Sequence, residues 1–154
     1  MKEIHLTQGK VTLVDDADYD WLNQWNWCAD KALKTYYAAT FKDGKKIRMH
    51  RFILGLTDRY TLADHIDRDG LNNQRSNLRP ATFSQSNSNM TYKTLTSKYR
   101  GVCWDKRYKK WLVTINKNGK HSFLGYFEDE QQAAVVYNQA AIKVHKEFAN
   151  LNVL

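Results

Sequence analysis

The chain has 154 residues, room for one ordinary domain or two small ones, and its 42 % hydrophobic content supports a packed core rather than global disorder. Lys and Arg number 24 against 16 Asp and Glu, a formal charge of +8 that points toward a polyanionic partner. No apolar run approaches the roughly 18 residues that span a bilayer, and no apolar h-region of a secretory signal opens the chain. Neither membrane insertion nor secretion is therefore expected. Cys28 and Cys103 are too few and too distant for a disulfide framework or a zinc site, and they suit a reducing cytosol.

In chain order, Lys10–Val14 alternates as a half-buried strand does. Asp15 or Asp16 can cap a short helix whose apolar residues Tyr19, Leu22 and Trp25 fall three apart. Tyr36–Phe41 and Lys46–Met49 are β-rich runs joined through Asp43-Gly44, a hairpin signal. His50–Leu56 reads as a brief helix ended by Gly55. Leu62–Ile66 and Leu78–Thr82 read as strands around a polar loop, with Pro80 confining the second to an edge or bulge. A helix follows from Phe83 or Ser84, with Thr82 as its cap. This unit of about thirty residues is too small for a core of its own, so the preceding elements must support it.

Between residues 63 and 87 the chain gathers Asp64, His65, Asp67, Asp69, Asn72, Asn73, Asn77 and Asn87, all oxygen ligands or bases. An EF-hand reading of Asp67-Arg68-Asp69-Gly70 fails, because His65 takes the first ligand position and Ser76 stands where the bidentate Glu belongs. An Asn/Asp-rich turn is the plain alternative for such a loop taken alone. The whole run Asp64-His65-Ile66-Asp67-Arg68-Asp69-Gly70 through Asn77-Leu78-Arg79-Pro80-Ala81-Thr82, preceded by Met49-His50-Arg51, resembles the core of HNH nucleases of the phage homing type.

That resemblance implies a ββα-metal unit and a divalent cation, Mg²⁺ or another such as Mn²⁺. It gives Asp64 the role of metal ligand and His65 that of general base, pointing the other way from the strand. Asn77 would hold the His65 ring in one tautomer by a hydrogen bond. A neutral imidazole suits proton abstraction from water, and Mg²⁺ keeps several waters, so one carboxylate and one amide oxygen suffice. The family's helix-borne ligand falls on Ser86, whereas the asparagine here is Asn87, one residue and about 100° further round. Asn87 is taken as the second metal ligand through a local shift; a water bridging Ser86, or an impaired site, are the alternatives. His50 matches a family position near the site, although capping and core hydrogen bonding account for it equally well. His5 and His145 read as ordinary surface or core residues.

Charge changes along the chain. Residues 1–90 hold 13 Lys/Arg and 11 Asp/Glu, and residues 91–154 hold 11 and 5. A polar stretch from Ser84 loses apolar periodicity after Met90 and reads as a short helix running into a linker over 91–97. Beyond it, Tyr99–Trp104, Lys110–Asn116 and His121–Phe127 read as three strands, the last two joined through Asn118-Gly119. Glu130–Phe148 then carries Ala133, Ala134, Tyr137, Ala140, Ala141 and Val144 at helical spacing, with Asp129 as the cap. Strict alternation turns Trp111, Val113, Ile115, Ser122, Leu124 and Tyr126 toward that helix, and Leu112, Thr114, Asn116, His121 and Phe123 away from it.

Tyr99-Arg100-Gly101-Val102, Lys110-Trp111, Phe123-Leu124-Gly125-Tyr126-Phe127, Ala133–Tyr137 and Ala149-Asn150-Leu151-Asn152 resemble the plant ethylene-response-factor (APETALA-type) DNA-binding domain. Such domains also close HNH homing endonucleases. The resemblance implies DNA-facing positions at Arg100, Thr114, Asn116, His121 and Phe123, and the basic loop adds Lys106, Arg107 and Lys109 as phosphate contacts. Cys103 and Asp105 stand where plant members have Arg, so the plant target sequence does not transfer. Trp111 belongs to the core rather than to a base contact.

The expected fold is α+β: a nuclease domain over 1–90 with a β-rich flank, a linker over 91–97, and a three-stranded antiparallel sheet on one helix over 98–154. The expected activity is site-specific, metal-dependent cleavage of double-stranded DNA in the host cytoplasm, with no membrane and no protein partner implied. A DNA-binding regulator with an impaired nuclease half is the alternative.

Overall fold

A computed structural model of the chain describes residues 1–32, 34–90 and 96–154. It is a mixed α/β protein with several small sheets and four α-helices among the described residues. Compactness divides it into two units, Met1–Phe83 and Ser84–Leu154. Residues 91–95 of the expected linker lie outside the described residues.

The first unit opens with β1 (Lys2–His5) antiparallel to β2 (Val11–Val14), followed by α1 (Asp16–Leu22). β3 (Cys28–Lys31), β4 (Tyr36–Lys42) and β5 (Lys45–Arg48) form a three-stranded antiparallel sheet, and α2 (Met49–Ile53) follows directly. The β4–β5 hairpin and α2 match their sequence patterns; α1 forms but ends at Leu22, so Trp25 of its expected apolar face lies beyond it, and β1 and β3 were not expected. Each of those two is four residues long and lacks the alternation that marks a half-buried strand. Asp15 precedes α1 without capping it: its carboxylate accepts the backbone N–H of Arg75 at 2.8 Å.

β6 (Leu62–His65) and β7 (Leu78–Ala81) form a two-stranded antiparallel ribbon, in which Pro80 sits opposite Ala63. A ribbon this small cannot exclude water by itself. Its support is a core of Ile4, Leu6, Val14, Leu22, Trp27, Ala29, Ala38, Met49 and Ile53, to which β7 contributes Leu78. Phe52 lies among the rings of Trp21, Trp25 and Trp27 at centroid distances of 5.1, 5.7 and 6.5 Å.

The loop between β6 and β7 is tied to β2. Leu13 donates its N–H to the Leu71 carbonyl (2.9 Å), and Asn73 donates to the Leu13 carbonyl (2.8 Å). Gly70 is required beside it, because a Cβ there would sit 2.4 Å from the Tyr36 carbonyl and 2.7 Å from the Tyr37 ring. Arg75 closes the loop on α1 with two bonds to the buried Asp18 carboxylate, at 2.7 and 2.8 Å. Those bonds, first among the causes, hold the Asp18 carboxyl below the usual carboxylate range.

α3 (Phe83–Asn89) leads into the second unit, where β8 (Val102–Asp105), β9 (Lys110–Lys117) and β10 (Lys120–Phe127) form an antiparallel sheet covered by α4 (Glu130–His145). Asp129 caps α4 as expected, accepting from the Gln132 N–H at 2.6 Å. Val102, Val113, Ile115, Ala133, Ala134, Tyr137 and Ala141 make the core, with Trp111 packed against it. The small Ala face lets the helix approach so closely that a Cβ on Gly101 would lie 2.1 Å from the Tyr137 ring.

One expectation about this sheet is corrected. The register pairs Phe123 with Thr114 but Gly125 with Val113, so the strand bulges between Phe123 and Gly125. One extra residue inverts the period of two beyond it. Tyr126 pairs with Leu112 and turns outward, 37 % exposed, while Phe127 packs on the core.

Candidate active site

The β6–β7 ribbon sets the first positions. Its register places Asp64 opposite Arg79 and His65 opposite Leu78, so adjacent residues turn to opposite faces as strand alternation requires. Asp64 and His65 are both buried, at 7 % and 5 % exposure. Asp64 Oδ2 accepts two N–H bonds from Arg79, from Nε at 3.0 Å and Nη2 at 2.9 Å.

His65 Nε2 lies 3.1 Å from Asn73 Oδ1. Asn73 Nδ2 in turn donates to Thr12 Oγ1 at 2.7 Å, and Thr12 donates to the Leu71 carbonyl at 2.7 Å. The orienting amide on this histidine is thus Asn73, not the expected Asn77. The Asn77 side chain instead knots the loop: Oδ1 accepts the Asp67 N–H (3.0 Å), and Nδ2 donates to Asp67 Oδ1 and the Asn72 carbonyl (both 2.8 Å). Asn73 belongs to the polar cluster visible in the sequence. Its link to Thr12, 61 residues away, exists only in the fold.

The other face of His65 meets aromatic rings. His50, on α2, lies edge-on at a centroid distance of 5.0 Å, and Tyr37, on β4, touches both imidazoles at 5.1 and 5.8 Å. His50 is buried, and its Nδ1 has no hydrogen-bond partner among the described residues. Burial, reinforced by His65, Arg48 and Arg51, pushes the His50 pKa down to about 3. Burial also lowers the His65 pKa, against the opposing pull of Asn73 and of Asp67, Asp64 and Asp69. Both shifts favour the neutral ring, the form in which an imidazole can accept a proton.

Asp64 offers this site a carboxylate, a hard oxygen donor. A single carboxylate fits a cation such as Mg²⁺, which keeps most of its water, and among the described residues no three His, Cys, Asp or Glu side chains gather to build a fuller cage. Asn87 and Ser86 lie on α3 and are partly buried; the Asn87 carbonyl accepts from Arg100 Nη2 at 3.4 Å.

In the second unit, register puts Thr114 beside Phe123 and Asn116 beside His121 on the sheet face away from α4. Asn116 Nδ2 and His121 Nε2 are 3.0 Å apart, and Phe123 is 61 % exposed. Tyr126 and Tyr108 extend this face, with rings 4.9 Å apart, and the Tyr126 hydroxyl donates to Asp105 Oδ2 at 3.2 Å. Lys106, Arg107 and Lys109 are exposed in the β8–β9 loop. Arg100 is engaged differently: its guanidinium bonds the Met90 and Asn87 carbonyls, and Asn152 brackets its backbone. His145, read as an ordinary residue, has Ser88 Oγ 3.0 Å from its Nδ1.

Comparison with known proteins adds an independent line. Over 128 residues, 77 % of this chain, it is 37 % identical to an uncharacterized HNH endonuclease of Acanthamoeba polyphaga mimivirus. The chain spans 64 % of that protein's length, less than two thirds. It is 40 % identical over 62 residues to protein 3.8 of Escherichia phage T7, covering 51 % of it. Over 71 residues it is 35 % identical to an AP2-like ethylene-responsive transcription factor of Arabidopsis thaliana, covering 16 % of that protein. No family model matches the chain, and no solved structure does. No helix among the described residues is long and apolar enough to cross a membrane.

Proposed function

We propose that the protein is a divalent-metal-dependent endonuclease of the HNH homing type that hydrolyses phosphodiester bonds of double-stranded DNA in the host cytoplasm. The observation that carries this reading is a buried His65, oriented by an amide, on the same short strand as Asp64. The likeness to a protein named as an HNH endonuclease supports it. In this reading β6, β7 and α3 form the ββα-metal unit, and residues 98–154 form an APETALA-type DNA-binding domain.

His65 takes a proton from a water molecule, whose oxygen bonds to phosphorus as the bond to the leaving sugar oxygen breaks. That oxygen leaves with a proton from solvent. Asp64, held by Arg79, and Asn87 would hold the cation, which would supply positive charge for the phosphate oxygens. Lys106, Arg107, Lys109, Thr114, Asn116, His121 and Phe123 grip the duplex, the basic loop on phosphates and the sheet face on bases, while Arg100, expected beside them, spends its guanidinium on the Met90 and Asn87 carbonyls.

Incubation with duplex DNA and Mg²⁺, with and without chelator, tests the reading. Cutting that needs the metal and falls at least about 10²-fold in His65→Ala, with DNA binding retained, is the expected result. A His65→Ala protein that cuts at the wild-type rate refutes the base assignment. Ser86, at the position of the family's helix ligand, motivates a second reading as a DNA-binding regulator with an impaired nuclease half. Tight binding without any nicking would favour it.

A further inference from the structure

Behind His65 lies a chain of hydrogen bonds whose direction is dictated by donor chemistry. The Leu71 carbonyl can only accept, so the contact at 2.7 Å takes the one hydroxyl proton of Thr12. Thr12 Oγ1 therefore meets Asn73 as an acceptor, and the group facing it at 2.7 Å must be the amide Nδ2. Turning the amide over would set an oxygen against a hydroxyl whose proton is already committed. Asn73 Oδ1 thus faces His65 Nε2, and an amide oxygen accepts only. Nε2 therefore carries a proton, and in the neutral ring the lone pair is left on Nδ1.

The chain is well held. Thr12 and Asn73 are fully buried, where a reversed or unmade hydrogen bond finds no water to replace it. The β2 backbone grips the loop on either side of Asn72, through the bonds from Leu13 to Leu71 and from Asn73 to Leu13. The N-terminal flank is thereby a support of the site as well as of the core.

We propose that Asn73, backed by Thr12, is the positioning residue that locks His65 in the Nε2–H tautomer, making Nδ1 the atom that receives the proton in strand cleavage. The second half of this statement rests on the nuclease reading; the tautomer does not.

Long-range ¹H–¹⁵N correlation spectra of the labelled full chain, with the His65 ring assigned by comparison with His65→Gln, read the tautomer directly. Wild-type protein should show a protonated Nε2 and an unprotonated Nδ1. Thr12→Val keeps the shape but removes the acceptor, so both tautomers should appear and kcat should fall about tenfold at unchanged KM for DNA. Thr12→Ser should restore the single tautomer and the rate. A wild-type Nδ1–H tautomer overturns the proposal, as does a Thr12→Val protein with the wild-type spectrum and kcat. Wild-type protein that shows the Nε2–H signature yet never cuts DNA with Mg²⁺ sinks the nuclease reading and leaves the relay standing.

Discussion

Acidification from about pH 7.5 to about pH 5 should weaken the first unit, chiefly through His50. The ring is enclosed by Tyr37 and His65, with Arg48 and Arg51 adding positive charge, and its pKa drops to about 3. In the unfolded chain the same group titrates near 6.5, the ordinary imidazole value. Between those values the unfolded state binds more protons than the folded one, so the contribution is fully present above about 6.5 and is lost as pH falls toward 3. At pH 5 the loss is about 2 kcal/mol, a large share of the stability of a small domain. His65, lowered by the same cause, adds in the same direction, whereas paired carboxylates such as Asp18 act nearer pH 4 and below. Urea unfolding at several pH values, followed through Trp21, Trp25 and Trp27, measures the slope. His50→Phe keeps a ring of similar shape and does not titrate, so it should lose about 2 kcal/mol less than wild type over this interval. Equal pH slopes in the two proteins would refute the argument.

Gly101→Ala should destabilise the second unit by about 2–4 kcal/mol, since a Cβ at φ +73° would collide with the Tyr137 ring and lie 2.8 Å from the Thr114 carbonyl. An unchanged melting temperature would contradict this packing. Replacing both Arg107 and Lys109 with Gln should weaken binding to every duplex alike and reduce the slope of log affinity against log salt by about 2. An unaltered slope would remove the β8–β9 loop from the phosphate contacts.

Local signals carried far in this chain. The runs Leu62–Ile66 and Leu78–Thr82 around a polar loop marked a strand–loop–strand ribbon, Asp43-Gly44 and Asn118-Gly119 marked hairpins, and Asp129 ahead of an alanine-rich face marked the long helix. Turns, caps and alternation depend on residues within a few positions of one another, so sequence alone determines them. Tertiary structure decided the rest. Asn73 rather than Asn77 orients His65, because the choice depends on Thr12, which only the pairing of β2 with the loop brings near. The bulge after Phe123 turned Tyr126 outward, and Ser88 found His145, 57 residues away. A buried donor or acceptor takes whichever partner the packed fold delivers, and that partner's distance along the chain leaves no periodic trace in sequence.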